Sequence, residues 1–180
     1  MTFLHHCADV GAAVLVHPWD MMARERMPNY MMPWTVAMPA ETQLGIVALI
    51  LSGAFDRLPR RLRICFAHGG GSFAFLLGRM QNAWEHHPVA RGKCELPPVQ
   101  YTDRFHVDSA VFDPSALEML VEKVGEDRVM LGSDYPFPLG DLTMGKFIEA
   151  MDLSKKVKED IFCNAALEWL DISKRELVLE

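Results

Sequence analysis

The sequence contains little that would suit nucleic acid or a lipid bilayer. Its 180 residues include 18 Lys and Arg against 24 Asp and Glu, and the formal net charge is −6. No basic run is long enough to follow a phosphate backbone, so we do not expect a nucleic acid partner. The longest apolar stretch, residues 44–54, contains Gly45 and Ser52. It is shorter than the roughly 20 residues that cross a bilayer, so we expect no membrane contact.

The sequence also lacks the patterns of secretion, disulfide scaffolds and nucleotide binding. Its N-terminus has no basic region followed by an apolar one, which predicts a cytoplasmic protein. The 4 cysteines are far apart without a C-x-x-C pair, which argues against a disulfide framework or a thiolate zinc site. Neither G-x-x-x-x-G-K-S/T nor G-x-G-x-x-G occurs, so nucleotide binding is not expected. Hydrophobic residues make up 50% of the chain and no low-complexity linker divides it, which predicts one domain over residues 1–180.

What the sequence does contain is a repeated pattern of short apolar runs, each followed by a helical pattern. The runs are rich in β-branched residues and end in a polar residue, as strands of a parallel sheet do. They lie at residues 12–16, 63–67, 104–108 and 128–131, and the helices are predicted at 41–55, 72–85, from 114 onward, 144–151 and 155–170. Such units form either an open doubly wound sheet or part of a (β/α)8 barrel.

Polar residues at the strand ends favour the barrel. His17, His68, Asp108 and Asp134 stand at or just after the carboxyl ends of the four predicted strands. Barrel enzymes build their active sites at that end of the strands. A complete barrel needs eight units and about 250 residues, whereas this chain supplies four units. We therefore predict an α/β fold that is half of a (β/α)8 TIM barrel.

Three of these residues have the chemistry of a metal site. His nitrogen and Asp oxygen suit zinc or a similar divalent ion, and His17, His68 and Asp134 stand at equivalent strand ends. Each also has a structural interpretation, because a strand-end His can bond a carbonyl group and an Asp can cap a turn. The glycines at 69–71 would let a substrate approach the backbone closely, or form a flexible turn.

Two further features bear on substrate binding. A loop rich in methionine, residues 21–39, either fills irregular gaps or lines the lid of a pocket. Arg79 lies on the helix after the glycines, where a guanidinium would suit a carboxylate substrate or would serve as a solvated helix charge.

Five segments of the chain carry a resemblance to a known family. They are VHPWD at 16–20, PW-x-x-x-MPAET at 33–42, FAHGGG-x-F at 66–73, GR at 78–79 and LGSDYPFPLG at 131–140. Together they resemble the 2-amino-3-carboxymuconate-6-semialdehyde decarboxylase family of the amidohydrolase superfamily, over nearly the whole chain. The resemblance implies the C-terminal half of a distorted, metal-dependent (β/α)8 barrel with one divalent ion, usually zinc. It also implies non-oxidative decarboxylation of a small carboxylate substrate in tryptophan or nitrobenzoate catabolism.

The resemblance also assigns roles to residues at matching positions. His17 and Asp134 resemble the family's metal ligands, and His68 resembles the acid–base residue that acts on the metal-bound water. Trp34 and Phe137 resemble aromatic residues of the substrate pocket.

The arginines and the first metal-binding motif of the family are only partly matched in this chain. Arg79 resembles an arginine that one subunit lends across a dimer interface to a substrate carboxylate, which implies a homodimer. Where some relatives have a second arginine eight residues later, this chain has His87. The family's early H-x-H pair and a further early arginine are missing, since His5 and His6 are adjacent. A catalytic zinc normally keeps three protein ligands, so we expect weak metal binding and little or no activity from the chain alone.

Two other functions stay open at this point. The chain could be a different amidohydrolase-type enzyme, either a decarboxylase of a hydroxybenzoate or a hydrolase or hydratase. It could also be a truncated, non-catalytic fragment that associates with itself or with a full-length subunit. Substrate turnover tests the first alternative, and the metal content per chain tests the second.

Overall fold

A four-stranded parallel sheet lies at the centre of the computed structural model, which describes residues 2–177. The strands are neighbours in chain order: β1 (Ala13–Val16), β2 (Arg63–Phe66), β3 (His106–Asp108) and β4 (Val129–Met130). A doubly wound sheet reverses its strand order at a switch point, whereas a barrel adds strands in sequence. The observed order is therefore that of consecutive barrel units.

The register of the sheet brings the carboxyl ends of the strands to one edge. β1 and β2 pair along their whole length, with Val16 opposite Phe66. β3 and β4 pair over two residues, with Asp108 opposite Met130. Polar residues that follow these strands are therefore presented at the same edge, as predicted from the sequence.

The helices alternate with the strands in most of the chain. They are α1 (Thr2–Asp9), α2 (Met38–Leu51), α3 (Ala54–Arg57), α4 (Phe73–His86), α5 (Pro114–Val124), α6 (Lys146–Ala150), α7 (Lys155–Glu159) and α8 (Ala165–Leu170). α5 begins where the sequence predicts, because the Asp113 carboxylate accepts a hydrogen bond of 2.9 Å from the Ala116 amide.

Two of the predicted helices have different bounds in the structure. The helix predicted at 41–55 begins earlier, at Met38 after a π-helical turn at Pro33–Ala37, and ends at Leu51. It ends because Gly53 adopts a left-handed conformation (φ 65°), where a Cβ atom would lie 2.7 Å from the Lys93 carbonyl oxygen. The helix predicted at 155–170 is helical throughout but contains a π-helical turn at Asp160–Asn164.

All four strands are shorter than predicted, the first two by one residue and the last two by two residues. The strand predicted at 104–108 begins at His106, because residues Pro98–Arg104 form 3-10 turns. The Arg104 guanidinium there donates 3.0 Å to the Leu58 carbonyl oxygen, which holds the turn against the loop before β2. The strand predicted at 128–131 is reduced to Val129–Met130.

One face of the sheet and the helices enclose an aromatic core. Phe105 lies at its centre, with its ring 5.4 Å from that of Phe66, 5.6 Å from that of Phe73 and 6.1 Å from that of Phe55. All four side chains are buried. Burial of a side chain of this size contributes roughly 1.5–3 kcal/mol, so this core fixes the sheet on which the strand ends stand.

The C-terminal helical segment packs against part of the opposite face of the sheet, and Leu15 of β1 on that face stays exposed. Cys65 and Met130 pack against Ala165 and Trp169. The Leu131 amide donates 2.7 Å to the Ile161 carbonyl oxygen, so the segment also protects the free edge beside β4. The chain after β4 therefore folds back along that edge of the sheet.

One helical segment of the described residues, Pro33–Leu51, is long and apolar enough to pass a simple test for a membrane span. It has 19 residues and a mean hydropathy of 1.4, and 22% of the tested window is buried. Core helices pass the same test, and Ile46 and Ile50 of α2 are fully buried against the sheet. One side of α2 therefore packs against the core of this chain.

Candidate metal centre

Three side chains from three strand ends meet at the carboxyl edge of the sheet. Asp134 Oδ1 lies 3.5 Å from His17 Nε2 and 3.3 Å from His68 Nε2. The His17 and His68 rings are 4.8 Å apart between centroids, and all three potential ligand atoms lie within 4.8 Å of one another. The structure therefore brings together the three residues that the sequence grouped as a metal site.

Two of the three residues adopt an unusual backbone conformation. His68 and Asp134 both have φ 56°, in the left-handed region that non-glycine residues rarely occupy. Such conformations cost about 1–3 kcal/mol and cluster at functional sites. The observation supports a functional role for both residues.

The glycines after His68 are required by a close approach of two backbone segments. Gly71 has φ 64°, and a Cβ atom there would overlap the carbonyl group of Pro39 at the start of α2. The Ser72 amide donates 3.3 Å to the same carbonyl oxygen. The glycine-rich turn thus fits against α2, and the residue that it presents at the sheet edge is His68.

Asp108 supports the site from the end of β3. Its Oδ1 atom accepts hydrogen bonds of 3.0 Å from the amides of Gly69 and Ala110. Burial raises the pKa of this carboxyl group, while those amide donors and the nearby His68 oppose the rise. A Cβ atom at Gly132 would lie 2.6 Å from the Asp108 Cβ. Asp108 therefore touches the turns after both β2 and β4.

A cavity of about 380 Å³ opens beside the three residues. His17 and Asp134 form part of its wall, and the Phe137 ring stacks on the His17 ring at 6.0 Å. Trp34 lies in the wall as well, so both aromatic residues expected in the pocket are found there. The methionine-rich loop contributes Met21, Met31 and Met38, which favours its interpretation as a pocket wall, and Trp19 just before the loop lies in the wall as well.

Two arginines, Arg79 and Arg24, differ in their relation to the cavity. Arg79 is exposed on α4 and is absent from the cavity wall formed by the described residues. The arginine in that wall is Arg24, whose guanidinium lies 5.6 Å from the centre of the Trp34 ring. Sequence reasoning missed Arg24, because only its position in the loop after the HPWD motif hinted at the pocket.

The donor set fits a divalent metal ion. Two imidazoles and one carboxylate at separate strand ends are a combination used for zinc and for other transition metals. His68 Nδ1 is buried and has no hydrogen-bond partner among the described residues. His68 Nε2 is about as close to Asp134 as His17 Nε2 is, so the distances allow His68 to be a third ligand or a proton carrier.

Comparison with known proteins defines the class to which this fold and site belong. The amidohydrolase family model matches residues 1–172. The chain therefore belongs to the amidohydrolase family, and the predicted fold, the C-terminal half of a (β/α)8 barrel, is confirmed.

The relatives within this family are mainly decarboxylases. The chain is 46% identical over 168 residues to 2-amino-3-carboxymuconate-6-semialdehyde decarboxylase of Dictyostelium discoideum, covering 92% of this chain and 46% of the relative. It is 39% identical over 174 residues to the protein of the same name from Caenorhabditis elegans, covering 95% of this chain and 43% of the relative. The resemblance read from the motifs is confirmed, and the chain spans about half the length of these relatives.

Solved structures agree with this placement. 5-Carboxyvanillate decarboxylase from Sphingomonas paucimobilis superposes with a TM-score of 0.82 at 25% identity, covering 94% of this chain and 52% of that protein. Two structures below 25% identity share the fold. A 2,6-dihydroxybenzoate decarboxylase with bound 2,6-dihydroxybenzoate superposes with a TM-score of 0.80 at 22% identity, covering 95% of this chain and 54% of that protein. A Polaromonas dihydroxybenzoic acid decarboxylase with bound manganese superposes with a TM-score of 0.81 at 20% identity, covering 99% of this chain and 55% of that protein.

Proposed function

We propose that the chain is the C-terminal half of a metal-dependent decarboxylase that acts on 2-amino-3-carboxymuconate 6-semialdehyde. The reaction would release CO2 and yield 2-aminomuconate 6-semialdehyde. The observation that carries the proposal is the cluster of His17, His68 and Asp134 beside a cavity with an aromatic wall. The identity of 46% to a relative of that name supports the choice of substrate.

We propose that His17 and Asp134 hold the metal, with zinc as the expected ion. A divalent ion in such a site lowers the pKa of a bound water and stabilises developing negative charge. Because the family's H-x-H pair does not occur in this chain, we expect these two ligands to bind the ion weakly without further donors.

His68 is proposed to move the proton that the reaction requires. An imidazole can accept and donate a proton near neutral pH, and its Nε2 atom faces the metal ligands. When the bond to the departing carboxylate breaks, its electron pair stays on the substrate carbon, which must gain a proton to give the product. His68 is placed to hold that proton.

The cavity wall is proposed to position a flat, conjugated substrate. Trp34 and Phe137 offer aromatic faces that bind a planar molecule and exclude water from it. Arg79 is exposed on α4, where it is accessible to a second subunit. We propose a homodimer in which Arg79 reaches the partner's site; the cytoplasmic location stays a prediction.

The test separates metal binding from proton transfer. We expect Asp134→Ala to remove bound zinc, as measured by metal analysis and calorimetry. His68→Ala should leave zinc bound but abolish the loss of semialdehyde absorbance. Asp152→Ala, at an exposed carboxylate away from the cavity, serves as the control. The opposite pattern for His68 and Asp134 would show that their roles are exchanged.

The same assay also examines the alternative functions. The fold shared with 5-carboxyvanillate decarboxylase makes carboxylated phenols the second candidate substrates. Turnover of 5-carboxyvanillate, with no change in the semialdehyde at saturating zinc, would replace the proposed substrate. A chain that binds no zinc and turns over neither compound would be the non-catalytic fragment.

A further inference from the structure

The cavity beside the metal centre has few charged groups in its wall. The acidic ones are Asp20 and Asp134. Among the described residues that form the wall, Arg24 alone is a Lys or Arg. A small carboxylate in this cavity therefore has one permanently positive side chain of this chain available to it.

The position of Arg24 is set by its local structure. Ala23 before it has φ 52°, and Arg24–Arg26 form a 3-10 turn in which the Arg26 amide donates 2.9 Å to the Ala23 carbonyl oxygen. The Arg24 guanidinium lies 5.6 Å from the centre of the Trp34 ring, within the range of a cation–π contact. Stacking on an aromatic ring leaves the edge of a guanidinium free to bind a carboxylate with two hydrogen bonds.

The charge of the cavity depends on this side chain. A divalent ion held at Asp134 would balance the two negative charges that Asp134 and Asp20 bring to the cavity wall. Arg24 then leaves the cavity with one net positive charge, whereas its removal leaves none. In a cavity with a mainly apolar wall, that difference selects anionic ligands over neutral ones.

We propose that Arg24 binds a carboxylate of the ligand, specifically the one that the substrate keeps through the reaction. The inference rests on the proposed function. A cation on the departing carboxylate would stabilise the substrate against the loss of CO2, because that charge disappears from the carboxylate in the transition state. A carboxylate that stays is charged throughout, so a cation there strengthens binding without slowing the reaction. Arg24 is thus a specificity residue for acidic substrates.

The experiment compares two ligands that differ in one carboxylate. 2,6-Dihydroxybenzoate is the anionic probe and resorcinol is the neutral probe. Their binding to the chain at saturating zinc is followed by tryptophan fluorescence, since Trp19 and Trp34 lie in the cavity wall. The variants are Arg24→Gln and the control Arg26→Gln, which removes an equal charge from the same turn at a residue outside the wall.

We expect Arg24→Gln to weaken binding of 2,6-dihydroxybenzoate about 10-fold or more, as expected for a lost hydrogen bond to a charged group. Resorcinol binding should stay within about 2-fold in both variants, and Arg26→Gln should change neither ligand by more than that. Equal affinities of the wild type and Arg24→Gln for the anionic probe would overturn the inference. An equal loss of affinity for the anionic probe in Arg24→Gln and Arg26→Gln would also overturn it, as would a wild type that does not bind this probe.

The outcome is independent of turnover. If the wild type binds the anionic probe through Arg24 but never consumes the semialdehyde, the proposed function fails while the carboxylate site stands. If turnover is found and Arg24→Gln leaves both KM and kcat unchanged, the proposed function stands and Arg24 has no part in it. A rise in KM with an unchanged kcat in Arg24→Gln would support both the proposed function and the carboxylate site at Arg24.

Discussion

The two ends of the sheet use similar residues for different purposes. At the carboxyl end, His68 has a buried nitrogen without a partner and a left-handed backbone beside an open cavity. At the amino end, His106 is buried, and its Nε2 lies 3.5 Å from a guanidinium nitrogen of Arg128. Arg128 in turn contacts Glu168 of α8 at 3.6 Å.

The difference lies in what the side chains contact, since each end has a buried nitrogen without a partner among the described residues, His68 Nδ1 at the carboxyl end and Arg63 Nε at the amino end. At the amino end, Arg128 contacts Glu168 and ties α8 to the sheet, which is a structural arrangement. The carboxyl end leaves donor atoms directed at a common point, which costs stability unless a ligand binds there. A histidine or a carboxylate at the end of a strand therefore indicates function only when the side chains that it contacts are known.

The largest expected effect is the pH dependence of the amino end. Burial, with the nearby Arg128 as a second cause, lowers the pKa of His106 from 6.5 to about 4. Because the unfolded chain binds this proton more tightly, stability is fully present above about pH 6.5 and falls as the pH drops towards 4. The loss amounts to roughly 3 kcal/mol at most, since one pKa unit corresponds to about 1.4 kcal/mol.

His106→Gln removes this contribution, so its stability should change less than that of the wild type across the same pH range in urea titrations. The carboxylates that also titrate there are common to both proteins and cancel in the comparison. A direct check is an NMR titration, in which the His106 ring should stay neutral at pH 5. Protonation at pH 6 would contradict the structural interpretation of the amino end.

The next largest effect is stabilisation by a metal at the carboxyl end. An ion that binds only the folded chain adds about 2.7 kcal/mol at about 100 times its Kd. Thermal unfolding with increasing zinc or manganese should show a rising Tm for the wild type. The rise should vanish in Asp134→Ala and persist in Glu168→Ala, a carboxylate at the amino end. Loss of the rise in both variants would remove the distinction between the two ends.

The smallest effect concerns the backbone strain at His68. Glycine accepts φ 56° without strain, and the His68 side chain leaves a buried nitrogen unpaired, so His68→Gly should stay within about 1 kcal/mol of the wild type. Ala67 is buried in an ordinary extended conformation (φ −65°), and Ala67→Gly should cost more, about 1 kcal/mol or above. Urea unfolding compares the two. A loss beyond about 2 kcal/mol in His68→Gly alone would make His68 a structural residue.

The sequence predicted the positions of the strands better than the exact ends of strands and helices. An apolar, β-branched run such as 63–67 is a local signal for a buried parallel strand, and β2 is found there. The break at Gly53 depends on the distant Lys93 carbonyl group, and the start of β3 depends on turns that Arg104 anchors. Contacts of this kind do not appear in local periodicity.

The candidate site was predictable only in part, because local patterns locate the residues that follow strands but not the contacts made by loops. His17, His68 and Asp134 follow strands directly, so strand prediction alone placed them at one edge. Asp108 was found at the same edge but received no role, since its bonds to Gly69 and Ala110 exist only in the folded loops. Arg24 was missed, because a loop of this length can place its side chains on either side of the chain. The roles assigned to the three central residues stay predictions.

By itself the sequence determined the class of fold, the four strands and the three donors at their ends, because each follows from local patterns of apolar and polar residues. The tertiary structure decided which polar groups meet. Arg128 contacts Glu168 at the amino end of the sheet, and the potential ligand atoms of His17, His68 and Asp134 converge at the carboxyl end. The tertiary structure also decided that Arg24, rather than Arg79, lies in this chain's own cavity. Contacts between residues that are distant in the sequence depend on tertiary packing, and local sequence patterns do not predict them.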